Sequence, residues 1–184
     1  SVTVVAVSKT FQLSHIKPLI DYGHNHFGEN KVQEAKHKWN EIKKKKQNLN
    51  LHMVGKLQSN KAKDAVMIFD YIHSLDNLKL AEKISSEQQK KNKKLKIFIQ
   101  INIGSEKQKS GIEIHELKNF YENCTKNLGL NIIGLMCLPP INLDSSKFFQ
   151  ILKQTSKKFN LKDLSMGMSS DYEQAILSGS TYLR

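Results

Sequence analysis

The feature that most constrains this chain is an alternation, kept up along its length, of short apolar runs with stretches of helical character. "TVVAVS" (3–8) opens the series, and a helix is expected from about Ser14. "HNHFGE" (24–29) follows, then a long helix over about Asn30 to Lys46 and the run "LHMVG" (51–55). A shorter helix from Ser59 precedes "YIHSL" (71–75), and Asp76 or Asn77 is placed to cap the next one. "LKIFIQINI" (95–103), rich in β-branched residues, is the strongest strand. A helix over about residues 112–128 stops near Gly129, "NIIGLMCL" (131–138) follows, and "SSKFFQILKQTSKKF" (145–159) is helical again. "LSMGM" (164–168), the helix "DYEQAILS" (171–178) closed by Gly179, and "TYLR" (181–184) complete the set.

Eight strands, each separated from the next by a segment of crossover length, specify a parallel sheet. Eight such units predict an α/β fold of the closed (β/α)₈ TIM-barrel type, in a single domain over residues 1–184. No G-x-G-x-x-G follows any strand, which removes the main support for an open dinucleotide-binding sheet. Such barrels typically need ~250 residues. This chain has 184, and its last strand has no helix after it, so a barrel truncated at one or both ends is expected.

The net charge of +12 raises the question of nucleic acid. Of the 29 basic residues only Arg184 is an arginine, the side chain whose fork reads bases and phosphates. The lysines gather in "KKKK" (43–46) and "KKNKKLK" (90–96), near helix ends, where they complement the helix dipole and solvate an outer face. Nucleic acid is therefore not the expected partner. No apolar run approaches the ~20 residues that span a bilayer, and no signal-peptide pattern opens the chain. Cys124 and Cys137 lack CxxC spacing, which points to a reducing, cytoplasmic setting, and the seven scattered histidines form no metal-ligand cluster.

In such barrels, chemistry gathers where the strands end. Val4 to Val7 form a wholly apolar run, expected to be buried on both faces, and Lys9 stands just beyond it. "GEN" (28–30), "HMVGKLQSNK" (52–61), "HSLD" (73–76), "QIN" (100–102), "MCLPP" (136–140), "SMGMSSD" (165–171) and Arg184 occupy the other strand ends. Ser169 and Ser170 precede a helix, with Ser170 and Glu173 spaced as a capping box; a helix start after Gly167 also suits a phosphate. A lysine amine and a phosphate cradle on one rim suit a phosphorylated aldehyde, and pyridoxal phosphate is the candidate. The amine attacks only when neutral, so the apolar strand is expected to desolvate it. His52 and His73 are expected to be satisfied by hydrogen bonds, and Met136, Met166 and Met168 to fill the barrel.

Taken together, "AVSKT", "FGENKVQEA", "HMVGKLQSNKAK", "HSLD", "GLMCLPP" and "LSMGMSSDYEQAILSGSTYLR" resemble, in unchanged order, the pyridoxal phosphate homeostasis proteins. That family is similar to the isolated N-terminal barrel domain of alanine racemases. The resemblance implies that Lys9 holds pyridoxal 5′-phosphate as a Schiff base and that Ser169, with nearby backbone amides, holds the phosphate. It further implies that Arg184 faces the pyridine nitrogen and that Asn30 sits beside the ring. The family pattern has a helix before the first strand, and a glycine-containing phosphate loop and closing helix after the arginine. The implied role is a monomeric cytoplasmic carrier that buffers the cofactor or delivers it to apo pyridoxal-phosphate enzymes. The alternative is an amino-acid racemase, which needs a second base; Tyr22, Tyr71, Tyr121, Tyr172 and Tyr182 are all expected to be packing residues.

Overall fold

Val5 is the seam of the sheet. The computed structural model describes residues 1–107 and 110–184. Its strands are β1 (Thr3–Val4), β2 (Ala6–Val7), β3 (His26–Glu29), β4 (Asn50–Met53), β5 (Tyr71–Leu75), β6 (Lys96–Ile101), β7 (Ile132–Cys137), β8 (Asp163–Ser165) and β9 (Tyr182–Leu183). Every neighbouring pair is parallel, in the order β1-β9-β8-β7-β6-β5-β4-β3-β2. β1 and β2 are one extended segment interrupted at Val5. Its first half pairs with β9, where Val5 N donates to Leu183 O at 2.8 Å; its second half pairs with β3, where Ser8 N donates to Gly28 O at 2.9 Å. The expected eight strands thus appear as nine. Strands in a closed barrel are staggered, so a seam segment exchanges one neighbour for the other midway.

The crossovers are α1 (Leu13–Asp21), α2 (Val32–Lys45), α3 (Ala62–Ile68), α4 (Leu78–Lys91), α5 (Leu117–Glu122), α6 (Ser145–Lys158) and α7 (Tyr172–Leu177). Side-chain alternation along each strand sorts residues into two cores. Phe27, Leu51, Ile72, Ile97, Ile99 and Leu135 face the helices in the larger one, where Trp39 of α2 packs on Phe27 with ring centroids 4.9 Å apart. The barrel interior holds the smaller one, Tyr71, Phe98 and Met136, bordered by Ile133, Leu138 and Tyr182. Met136 fills the barrel interior as expected, but Met166 is buried in the larger core instead and Met168 is 43% exposed.

Local details depart from the sequence reading for identifiable reasons. Of the run Val4–Val7 only Val5 is fully buried, and Val4 is 55% exposed, because the seam segment borders an open cavity instead of lying between two layers. Residues 112 and 113 are not helical, because Ile112 pairs back onto β6, its N–H donating to Gln100 O and its carbonyl accepting from Asn102 N, and a 3₁₀ turn over Ile114–Glu116 leads into the α-helix. α5 therefore starts at Leu117 and runs into a π-helical turn over Asn123–Asn127 before Gly129. Asn77 caps α4, its Oδ1 accepting from Leu80 N at 2.9 Å.

The lysine runs do more than solvate. Lys44 and Lys90 pair with Glu41 and Glu87 on the surface, but Lys43 reaches Asp70 at 2.6 Å and the Ile68 carbonyl at 3.0 Å. Lys93 donates to the carbonyls of Met67 and Phe69 at 3.2 and 2.6 Å, and burial lowers its pKa to about 8. Both cations satisfy the orphan carbonyls at the C-terminal end of α3. Among the described residues, no helix is long and apolar enough to cross a membrane.

Candidate functional site

The turn carrying Lys9 is held from beneath by a buried carboxylate. Glu29 ends β3 fully buried, and its Oε1 accepts from Ser8 Oγ at 2.8 Å, Lys38 Nζ at 2.9 Å and Trp39 Nε1 at 2.9 Å. Lys38 Nζ also donates to the Ser8 carbonyl at 2.8 Å, and Glu34 Oε1 accepts from Thr10 N at 3.0 Å. Thr10 has φ +67°, so the chain reverses immediately after Lys9. α2 thereby grips the residues on both sides of the lysine while Lys9 itself stays exposed. The expected desolvation of its amine is not found: the apolar strand ends at Val7 and the lysine lies two residues past it, on the rim. Removing one partner of a buried ion pair typically costs about 3–5 kcal/mol. Glu29→Gln should lower unfolding free energy by that order in a urea titration and leave the Lys9 turn more open to proteolysis.

Above this turn lies a cavity of about 870 Å³ at the strand ends. Lys9, Asn30, Ser169 and Arg184 all line it, brought from four separate places in the chain: after β2, after β3, after β8 and after β9. Its walls are otherwise mainly apolar, with Val4, Val7, Val54, Leu138 and Leu183 among them. A largely apolar cleft of this size with a few convergent polar groups is the usual form of a small-molecule site. Asn30 Oδ1 is buried without a hydrogen-bond partner. A buried orphan acceptor is costly unless something supplies a donor. Asn30 packs so closely on Gly55 that a Cβ there would come within 2.6 Å of Asn30 Cβ.

Ser169 lies on the turn between β8 and α7. Gly167 has φ +98°, and a Cβ on it would meet Ala175 Cβ at 2.5 Å, so only glycine lets the turn pass beneath α7. The expected capping box at Ser170 does not form. α7 begins at Tyr172, and Asp171 instead turns its Oδ1 back to accept from Met168 N at 2.8 Å, leaving Ser169 and Ser170 exposed. Arg184 is anchored at both terminal nitrogens, Nη1 donating to Ser165 Oγ at 2.5 Å and Nη2 to the Cys137 carbonyl at 3.1 Å. Desolvation lowers its pKa to about 10, which leaves it a cation at neutral pH. The buried Cys137 thiol beside it is pushed up to about 12.

His52 and His73 stay out of the cavity and are hydrogen-bonded to each other at 2.9 Å, as expected of them. Gln58, Asn60 and Lys61 do not line it, whereas Gln100 and Asn102 border a smaller neighbouring cavity with Lys56. Met168 and Tyr172 are wall residues that sequence reasoning assigned to packing, and Tyr22 is 89% exposed. The Glu29–Lys38–Trp39 cluster was also missed; its one trace in the sequence is a lysine beside a tryptophan on an amphipathic helix.

The family model for the alanine racemase N-terminal domain matches residues 1–184. The pyridoxal phosphate homeostasis protein of Escherichia coli is 35% identical over 192 residues, covering all of this chain and 82% of its relative. That of Synechocystis is 38% identical over 193 residues, covering all of this chain and 88% of the other. Among solved structures, PipY of Synechococcus elongatus with PLP bound is 33% identical with a TM-score of 0.91, covering 100% of this chain and 89% of that one. An alanine racemase of Clostridium difficile is 11% identical with a TM-score of 0.77 over half of its length, a likeness of fold alone.

Proposed function

Because the chain belongs to the alanine racemase N-terminal domain family, and within it to the pyridoxal phosphate homeostasis proteins, we propose that it is a single-domain carrier of pyridoxal 5′-phosphate. It holds the cofactor at the barrel mouth and releases it to apo-enzymes that need it. The observation that carries this reading is the convergence of Lys9, Asn30, Ser169 and Arg184 on one cavity. When bound, the cofactor supplies an aldehyde that an amine can capture reversibly. Lys9 provides that amine on an exposed rim, where water and incoming amines also reach it. Arg184, a donor that does not give up its proton, would serve a ring nitrogen as hydrogen-bond donor without protonating it. Ser169 and the backbone N–H groups of its turn would serve the phosphate, and Asn30, whose Oδ1 is buried without a partner on the cavity wall, would sit beside the ring. The two cysteines are buried free thiols, in keeping with work in the cytoplasm, and the carrier acts as a monomer.

Hydrogen bonds to charged groups are worth about 1.5–3 kcal/mol, so Arg184→Ala and Ser169→Ala should each weaken cofactor retention by roughly tenfold or more. Equilibrium dialysis measures this; retention equal to the wild type in both variants would contradict the assignment.

A second reading, racemase chemistry, finds support in Tyr172, whose phenol borders the cavity and donates to Glu173 Oε1 at 3.4 Å. A positioned acid–base group is worth about 10²–10⁴ in rate. Loaded protein should activate an apo pyridoxal-phosphate enzyme while turning over free amino acids poorly, and Tyr172→Phe should leave transfer unchanged. Saturable racemisation lost in both Lys9→Ala and Tyr172→Phe would establish the second reading instead.

A further inference from the structure

Three imidazoles run in a hydrogen-bonded line through the barrel interior to the cavity. His26 Nδ1 lies 2.9 Å from His52 Nε2, His52 Nδ1 lies 2.9 Å from His73 Nε2, and His73 Nδ1 lies 2.7 Å from Ser165 Oγ. Arg184 Nη1 meets the same Ser165 Oγ at 2.5 Å. His52, His73 and Ser165 are fully buried, and His26, half-buried on β3, is the outer end. The rings are wedged as well as bonded: His52 stacks on Tyr71 at 4.1 Å and His73 on Phe98 at 4.5 Å.

The direction of this line follows from the arginine. A guanidinium has donors only, so Ser165 Oγ accepts from Arg184. The single hydroxyl proton of Ser165 must then go to its other partner, His73 Nδ1, because a buried hydroxyl proton aimed at nothing is the arrangement native structures avoid. A neutral imidazole that accepts on Nδ1 carries its proton on Nε2. His73 therefore donates to His52, and His52 donates to His26. All three rings are held as the same tautomer. Reversing the line would give Ser165 two donors and leave its own proton without an acceptor.

We propose that Ser165, His73, His52 and His26 form a one-way hydrogen-bond relay that fixes the guanidinium of Arg184 at the cavity wall. Ser165 and His73 are then positioning residues for the ligand site, acting through Arg184. The relay stands on the free protein, whereas its effect on retention rests on the carrier reading above. Burial disfavours the charged form of both inner rings, which keeps them neutral as the relay requires. Second-row substitutions that leave an arginine's donors in place but free its orientation are expected to weaken binding without removing it.

The relay is tested first without any ligand, by two-bond ¹H–¹⁵N correlation spectra of the histidine-labelled free protein, which report each ring's tautomer. Three neutral rings protonated on Nε2 are expected at neutral pH; His73 protonated on Nδ1 in the wild type would overturn the relay. Ser165→Ala should shift the His73 signals while Ser165→Thr, which keeps the hydroxyl, should not. In the second arm pyridoxal phosphate is titrated into the wild type and both variants. Retention should fall severalfold in Ser165→Ala and recover in Ser165→Thr. Unchanged retention in Ser165→Ala would overturn the positioning role, whereas no retention by the wild type would overturn the carrier reading and leave the tautomer result standing.

Discussion

Lys9→Ala should abolish stable retention of pyridoxal phosphate while leaving the barrel folded. The expectation has two parts, and each has its own physical basis. Lys9 is exposed, and Ser8, Glu29, Lys38 and Thr10 hold its turn without using its side chain, so truncation removes little packing. Exposed substitutions of this kind usually change stability within about ±0.5 kcal/mol. Retention is another matter, because in the proposed site Lys9 supplies the reversible covalent link, and the other proposed contacts are individual hydrogen bonds. After gel filtration the loaded variant should carry cofactor at background level, with an unfolding transition overlaying that of the wild type. A variant that retained cofactor as well as the wild type would remove Lys9 from its assigned role. Glu29→Gln provides the contrast, since it loosens the turn and destabilises the fold while keeping the lysine.

Acid should destabilise this protein from an unusually high pH. His52 and His73 are held well below the ordinary histidine value of 6.5, chiefly by burial, and His26 is lowered too. The groups facing them reinforce the effect: Lys96 and Lys43 act on His52, Arg184 acts on His73, and His24 and Lys96 on His26, with only Asp70 opposing. Below 6.5 the unfolded chain binds a proton on each histidine and the native state does not, so protons favour unfolding. Stability is therefore complete above that value and is lost as the pH falls beneath it. Loss continues until the native histidines themselves titrate. Each neutral buried histidine contributes a slope of about 1.4 kcal/mol per pH unit, hence roughly 3 for His52 and His73 together. Urea midpoints measured stepwise from pH 8 to pH 5 should be flat at first and then drop steeply. Double replacement by neutral side chains of similar shape should flatten the curve, and an equally steep drop in that variant would assign the acid sensitivity elsewhere.

Much of this molecule was legible because period and punctuation agree. The strand-and-crossover alternation gave the barrel and its strand ends, where Lys9, Asn30, Ser169 and Arg184 all lie and line one cavity, whereas the part each is proposed to play toward a cofactor came from the family resemblance. What failed was anything set by closure of the barrel. The break at Val5 depends on which two strands meet across the seam, which no local window contains. The exposure of Lys9 and Val4 follows from the same closure, since a strand read as buried on both faces borders a cavity once the barrel is formed. Asp171 displaced Ser170 as the turn residue because its carboxylate reaches the Met168 amide, a competition between neighbouring side chains that spacing alone does not decide. The relay was invisible for a different reason. His26, His52, His73 and Ser165 lie on four strands, and only the inward side of each strand tells that they meet. Tyr172 was read as packing because it lies one residue inside a helix, yet α7 is short and its first turn faces the cavity.

The central claim, that the barrel-mouth cavity holds pyridoxal phosphate through Lys9, is tested most directly by borohydride reduction of loaded protein followed by peptide mapping. Lys93 is the informative competitor, because burial brings its pKa to about 8 although its ammonium is committed to two carbonyls. The expected result is a single reduced adduct, on the peptide containing Lys9. An adduct on Lys93, on the surface lysines such as Lys44, or on no lysine would contradict the account.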